Sequence, residues 1–160
     1  MYFNFVKTNK IMDKVIKHRL DVWEEEPLYW QLIAQIDKRL YQSTLSKSLI
    51  EIIKIRVSQI NKCAYCIDYH TRDALKNGES PRRIFALSAW QESPLFTAIE
   101  RSVLEVVEEI TLIFNHGVSD NAYQKLQSYF TKKEIADIII CICHMNFLNR
   151  VGISTKTEAL

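Results

Sequence analysis

Three glycines and three prolines are all that this 160-residue chain offers for sharp turns, too little punctuation for a many-stranded sheet. Helix signals recur in their place. Pro27 opens a segment to position 41 with Leu28, Leu32, Ile36 and Leu40 at steps of four, the spacing of one helical face. Ser46 stands at an N-cap position ahead of a segment, ending at Ile60, that is apolar on most sides (Leu49, Ile50, Ile52, Ile53, Ile55, Val57). Its length and lack of strict alternation favour helix over strand, and its all-round apolarity predicts a central, buried element. After Asn61, positions 63–76 read as a helix closed by Asn77-Gly78. Ser80-Pro81 supplies an N-cap and a first-turn proline for a helix to about position 90. Positions 97–114 are amphipathic, with Ile99, Val103, Val106, Val107, Ile110 and Ile113 inward. Ser119 caps a short helix carrying Tyr123, Leu126 and Phe130, and Thr131-Lys-Lys-Glu134 has capping-box spacing before an apolar helix to Arg150. The expectation is one all-α domain over 1–160, a bundle of about six to seven helices whose first twenty or so residues are variable.

The charges nearly balance, 21 Lys and Arg against 19 Asp and Glu. A nucleic-acid surface needs clustered cations to displace counterions from phosphate. No such cluster is present, so no nucleic-acid partner is expected. The longest unbroken apolar stretch, 138–143, falls far short of the roughly 20 residues of a spanning helix, and no membrane partner is expected either. The N-terminus shows no continuous apolar segment and no small-residue cleavage site. These features point to the cytoplasm. In that reducing setting a close cysteine pair serves catalysis, redox sensing or metal binding more often than permanent cross-linking.

The spacing sorts the four cysteines. Cys141 and Cys143 lie in an apolar run and read as core residues, whereas Cys63-Ala-Tyr65-Cys66 is a C-x-x-C at the start of a helix. There the two thiols can approach each other, and the unpaired amides of the first turn favour a thiolate. His70 follows Cys66 by four residues, on the same face one turn on. Its imidazole can take the thiol proton or hold the thiolate as an ion pair. Such a ring needs an orienting partner. Glu51 is the best candidate, because a carboxylate on a buried stripe with Ile55 and Ser58 must be paired or hydrogen-bonded. Asp68 is nearer in sequence but two residues from both Cys66 and His70, which turns it to another face. The competing reading is a zinc site, with Cys141, Cys143 or His144 completing Cys63, Cys66 and His70. No cofactor and no metal are expected. His18 and His116 receive no role, and Trp23, Trp30 and Trp90 read as packing or interface anchors.

The stretch Glu51-Ile-Ile-Lys-Ile-Arg56-Val-Ser58-Gln-Ile-Asn61-Lys-Cys63-Ala-Tyr65-Cys66-Ile-Asp-Tyr-His70 resembles the carboxymuconolactone decarboxylase superfamily, and within it the alkylhydroperoxidase D-like branch. The similarity continues through Thr71-Arg-Asp-Ala-Leu, Ala86-Leu-Ser-Ala-Trp90 and Asn146-Phe-Leu-Asn149-Arg150. It implies an all-helical fold that forms homo-oligomers, often trimers or hexamers. It implies, too, a cysteine pair that reduces a peroxide or a partner's disulfide and is restored by an external dithiol. Carried onto this chain, Glu51 and His70 activate Cys66, Cys63 completes the disulfide, and Tyr65, Ser58 and Asn61 support the site. Tyr65 stands where the best-known members have a histidine. The decarboxylase branch lacks the cysteine pair, which argues against that activity. The alternative of another class is a non-catalytic redox sensor or helical assembly module, in which the thiols report oxidation to a partner.

Overall fold

The computed structural model describes residues 18–159. Among them lie eight α-helices and no strand: α1 (Val22–Glu25), α2 (Pro27–Tyr41), α3 (Lys47–Asn61), α4 (Ala64–Lys76), α5 (Pro81–Ala86), α6 (Ala98–Thr111), α7 (Asp120–Gln127) and α8 (Lys132–Thr155). A single 3-10 turn, Leu87–Ala89, extends α5. The eighth helix, beyond the expected seven, is α1, one turn capped by the Asp21 carboxylate. The segment expected to run to position 90 is split, with the α-helix ending at Ala86.

The caps explain the boundaries. Ser46 Oγ accepts from the Leu49 amide to start α3, and Ser119 Oγ from the Ala122 amide to start α7. Thr97 and Glu100 form a full capping box on α6, and Thr131 and Glu134 another on α8. These reciprocal bonds satisfy amides that the first helical turn leaves without partners. Gly78, at φ 87°, follows the Asn77 cap of α4 in the left-handed region that glycine enters without steric cost.

The central helix is α3, as its all-round apolarity predicts. It packs against α4, α6 and α8, with Ile50, Ile53, Ile55 and Val57 wholly buried. Two apolar clusters result. The larger joins α3 to α6, α7 and α8, and the smaller joins α3 to the α5 region through Ile52, Ile55, Leu87 and Trp90.

Three expected faces are turned otherwise. On α2, Leu28, Leu32 and Ile36 are exposed, and the inward line is Ile33, Asp37 and Leu40. Polar contacts draw Asp37 inward, which rotates the expected apolar stripe outward. On α6, Ile99 and Ile113 are exposed because the helix ends at Thr111 and its buried line runs through Ser102, Val103, Val106 and Val107. Cys141 is buried but Cys143 is exposed. Two helical positions separate them by about 200°, so a core-facing Cys141 turns Cys143 to the opposite side.

Among the described helices, α8 alone is long and apolar enough to cross a membrane by length and composition. Counting unbroken apolar residues overlooks it, because His144, Asn146 and Asn149 interrupt the run. Those three side chains are buried against the rest of the fold. Because the capping box holds the start of this longest helix, Thr131→Ala is expected to lower stability by about 1 kcal/mol in chemical denaturation, and Thr131→Ser to restore it.

Candidate active site

The turn between α3 and α4 sets the cysteines. Lys62 ends α3 in the left-handed region (φ 61°), and the Cys63 amide donates to Ser58 O at 3.0 Å. Cys63 is thereby left at the N-cap of α4 with extended backbone, and Cys66 falls in the first turn. The two are joined as a disulfide, their Cα atoms 5.4 Å apart. Both sulfurs are sheltered. Cys63 is 2% exposed and Cys66 4%, so the first cysteine of the pair is not the more accessible one, contrary to what is usual for such motifs.

His70 and Cys66 share the wall of a cavity of about 430 Å³. Behind the ring, His70 Nδ1 lies 2.9 Å from Glu51 Oε2, and the Glu51 side chain is fully buried. The expected carboxylate is therefore the one that meets the imidazole. Asp68 instead pairs with Arg72 at 2.8 Å, one turn along the outside of α4. Tyr65 lies between the cysteines in sequence and stacks on Tyr69, whose ring meets His70 edge-on.

Ser58 and Asn61 reach α8 rather than the sulfurs. Asn61 Nδ2 donates to Asn146 Oδ1 at 2.9 Å and to Asn149 Oδ1 at 3.0 Å, while Asn149 Nδ2 donates to Ser58 Oγ at 3.0 Å. Ser58 Oγ donates in turn to Lys54 O. The network clamps the end of α3 to α8 and so holds Gly152 of α8 against the disulfide. A Cβ at position 152 would stand 3.6 Å from Cys63 Sγ and 3.9 Å from Cys66 Sγ.

Four further polar residues extend the site. The Tyr41 hydroxyl donates to Glu51 Oε1. Burial, and then the carboxylate it faces, push the Tyr41 phenol well above its ordinary range, so it stays a donor. Lys54, 1% exposed, donates to Asp37 Oδ1 at 2.6 Å and approaches Tyr41 Oη at 3.4 Å. His144 Nε2 lies 3.4 Å from the same Asp37 oxygen. A polar chain thus runs His70–Glu51–Tyr41–Lys54–Asp37–His144 across α4, α3, α2 and α8. The sequence signal for it is Lys54, a lysine set among Ile52, Ile53 and Ile55 on a buried helix, where an ammonium needs a carboxylate.

Cys141 is fully buried, and burial pushes its thiol up to about 12, which keeps it protonated. His18, given no role from sequence, sits at the rim of the Cys66 cavity with its Nε2 against Leu20 O. His116 is exposed beyond α6, and Trp90 is buried with its indole N–H on Glu108. Among the described residues, no three His, Cys, Asp or Glu side chains gather as metal ligands. Cys141, Cys143 and His144 therefore do not join Cys63, Cys66 and His70 in a ligand set.

This helical fold, with its Cys-x-x-Cys pair backed by a buried Glu–His couple, is that of the alkylhydroperoxidase D-like proteins. The chain belongs to the carboxymuconolactone decarboxylase family, whose profile matches residues 27–109. It is 35% identical to the uncharacterized protein YdfG of Bacillus subtilis over 90% of this chain and 98% of that one. A protein of unknown function from Agrobacterium tumefaciens, proposed as the antioxidant defence protein AhpD, superposes with a TM-score of 0.87 at 30% identity, over 90% of this chain and 99% of that one. The debrominase Bmp8 shares the fold at 17% identity, with a TM-score of 0.78 over 86% of this chain and 73% of that one.

Asp37 supplies a pH test of the polar chain. Burial works to raise its pKa, but the neighbouring His144 ring and the Lys54 ammonium outweigh burial and hold it well below the usual carboxylate range. A depressed folded value stabilises the fold at all pH above the ordinary value of 3.8, and that contribution is lost as pH falls from there toward the folded value. Asp37→Asn is expected to be less stable than the parent at neutral pH. The difference should shrink on acidification below about pH 4, as read from denaturation midpoints across pH.

Proposed function

We propose that this chain is a thiol-dependent oxidoreductase that reduces a peroxide or a partner's disulfide through Cys63 and Cys66, with His70 and Glu51 activating Cys66. One observation carries the reading. The imidazole that shares a cavity with Cys66 has a fully buried carboxylate oxygen 2.9 Å from its Nδ1. That carboxylate fixes the ring's tautomer and stabilises the imidazolium formed when the ring accepts a thiol proton. The antioxidant role proposed for the Agrobacterium relative points the same way.

With a peroxide ROOH, the Cys66 thiolate attacks the terminal oxygen. The O–O bond breaks, ROH leaves after taking a proton, and Cys66 becomes a sulfenic acid. The Cys63 thiol then displaces water to give the disulfide, and an external dithiol returns both sulfurs to thiols while becoming a disulfide itself. With a disulfide substrate the same thiolate forms a mixed disulfide, which Cys63 resolves. A reducing compartment such as the cytoplasm suits this cycle.

The test is a panel of peroxides and disulfides with dithiol regenerant. Cys66→Ser is expected to abolish turnover. Glu51→Gln is expected to slow it by about a hundredfold while leaving the far-ultraviolet circular dichroism unchanged. Full activity in Cys66→Ser would remove the mechanism. Consumption of one oxidant per pair, with no further turnover, would favour a redox sensor.

Assembly as a homo-oligomer, trimer or hexamer, belongs to the same proposal. It is supported by the exposed line Leu28, Leu32 and Ile36 on α2, flanked by exposed Tyr29 and Trp30. The N-terminal aromatic residues Tyr2, Phe3 and Phe5 lie outside the described residues. Sedimentation velocity at micromolar concentration is expected to show the oligomer, and Leu32→Glu to dissociate it.

A further inference from the structure

Two cavities flank the disulfide. The larger touches Cys66 and not Cys63, and carries His70. The smaller, of about 290 Å³, touches Cys63 and not Cys66. Attack on a disulfide places the incoming sulfur, the attacked sulfur and the departing sulfur nearly in line. A nucleophile arriving in the smaller cavity reaches Cys63 and not Cys66. The departing sulfur is then Cys66, the one beside His70.

Gly152 forms part of both walls. Glycine inside a helix is destabilising relative to alanine. An alanine Cβ would fit here at ordinary contact distances of 3.6 and 3.9 Å from the two sulfurs, so packing does not demand a glycine. What the glycine leaves is the space a Cβ would fill beside the two sulfurs. The smaller cavity also holds Lys156, half-buried at the end of α8, and no carboxylate, while the larger holds Asp21, the Lys54-paired Asp37, His18 and His70. The two approaches therefore differ in charge as well as in the cysteine they reach.

We propose that the reducing thiol reaches Cys63 through the smaller cavity, that Gly152 keeps this path open, and that Lys156 selects thiols carrying negative charge. The proposal deepens the thiol-redox reading above and rests on it. The reductant's thiolate bonds to Cys63 Sγ as the Cys63–Cys66 bond breaks, and the electron pair leaves with Cys66 as a thiolate. The reductant's second thiol, deprotonated, attacks the first reductant sulfur and releases Cys63. The dithiol has lost two electrons and two protons to the cysteine pair and departs as a disulfide. Oxidant and reductant thus enter by different cavities, one lined by Cys66 and the other by Cys63.

The test needs no oxidant. The oxidised full-length chain is reduced by 2-mercaptoethanesulfonate, 2-mercaptoethanol or cysteamine at matched thiolate concentration. The reaction is quenched by alkylation, and free thiols are counted by mass. The anionic thiol is expected to be fastest. Lys156→Glu is expected to shift the anionic-to-cationic rate ratio about tenfold toward cysteamine, while Lys132→Glu, at the far end of α8, leaves it unchanged. Gly152→Val, at an unchanged melting temperature, is expected to slow all three thiols about tenfold or more by covering the sulfurs. An unaltered ratio in Lys156→Glu, or wild-type rates in folded Gly152→Val, would overturn the proposal. If Gly152→Val does not fold, the Lys156 series decides alone. Because reduction is read stoichiometrically, a lack of peroxide turnover would sink the oxidant reading without touching this result, and the reverse also holds.

Discussion

The arrangement of this molecule depends on one buried carboxylate. Glu51 sits in the second turn of α3 with none of its surface exposed, a position that is costly for a charge without partners. It has two, one on each oxygen: the Tyr41 hydroxyl from α2 and the His70 ring from α4. Each helix must therefore dock in one register for the carboxylate to be satisfied. Removing one partner of such a buried pair costs about 3–5 kcal/mol, because the remaining charge is left uncompensated. The group that orients the imidazole is also a group that orients the helices.

Around that carboxylate the polar chain continues to Lys54, Asp37 and His144, so four helices meet through side-chain contacts as well as through apolar packing. Interior polar networks rigidify a fold where their members are paired, as Glu51 is on both oxygens and Lys54 is on Asp37, while His144 Nε2, 3.4 Å from Asp37, completes no hydrogen bond. They also fix which face of a helix turns inward. On α2, hydropathy alone would bury Ile36 and expose Asp37. The reverse is found: Ile36 is exposed and Asp37 lies on the inward line.

Local chemistry makes much of this legible in sequence. Ser46, Ser119 and Thr131 mark helix starts with their own side chains, and the structure uses all three as caps, whereas Ser80, read as a cap ahead of Pro81, accepts no capping hydrogen bond. The pairing of His70 with Glu51 is readable because the spacing puts the ring on the cysteine face and burial obliges the carboxylate to find a partner. The roles of Tyr41, Asp37 and His144 are not readable, since each depends on a contact between helices distant in sequence. The face of α2 escapes for the same reason: apolar periodicity reports what a helix prefers to bury, not what a neighbouring lysine draws in. The exposure of Cys63 depends on α8, which arrives roughly ninety residues later in the chain.

The clamp between α3 and α8 is built from carboxamides and hydroxyls, with the permanently charged Arg150 guanidinium donating to Asn146 Oδ1. Asn61, Asn146, Asn149, Ser58 and Thr111 exchange hydrogen bonds with one another, and none of these groups takes up or loses a proton near neutrality. Electrons and protons arriving at the neighbouring sulfurs change the local charge, but they meet a joint whose bonding is indifferent to it. The bare backbone beside the sulfurs is therefore anchored by bonds that a change of charge at the sulfurs does not itself break.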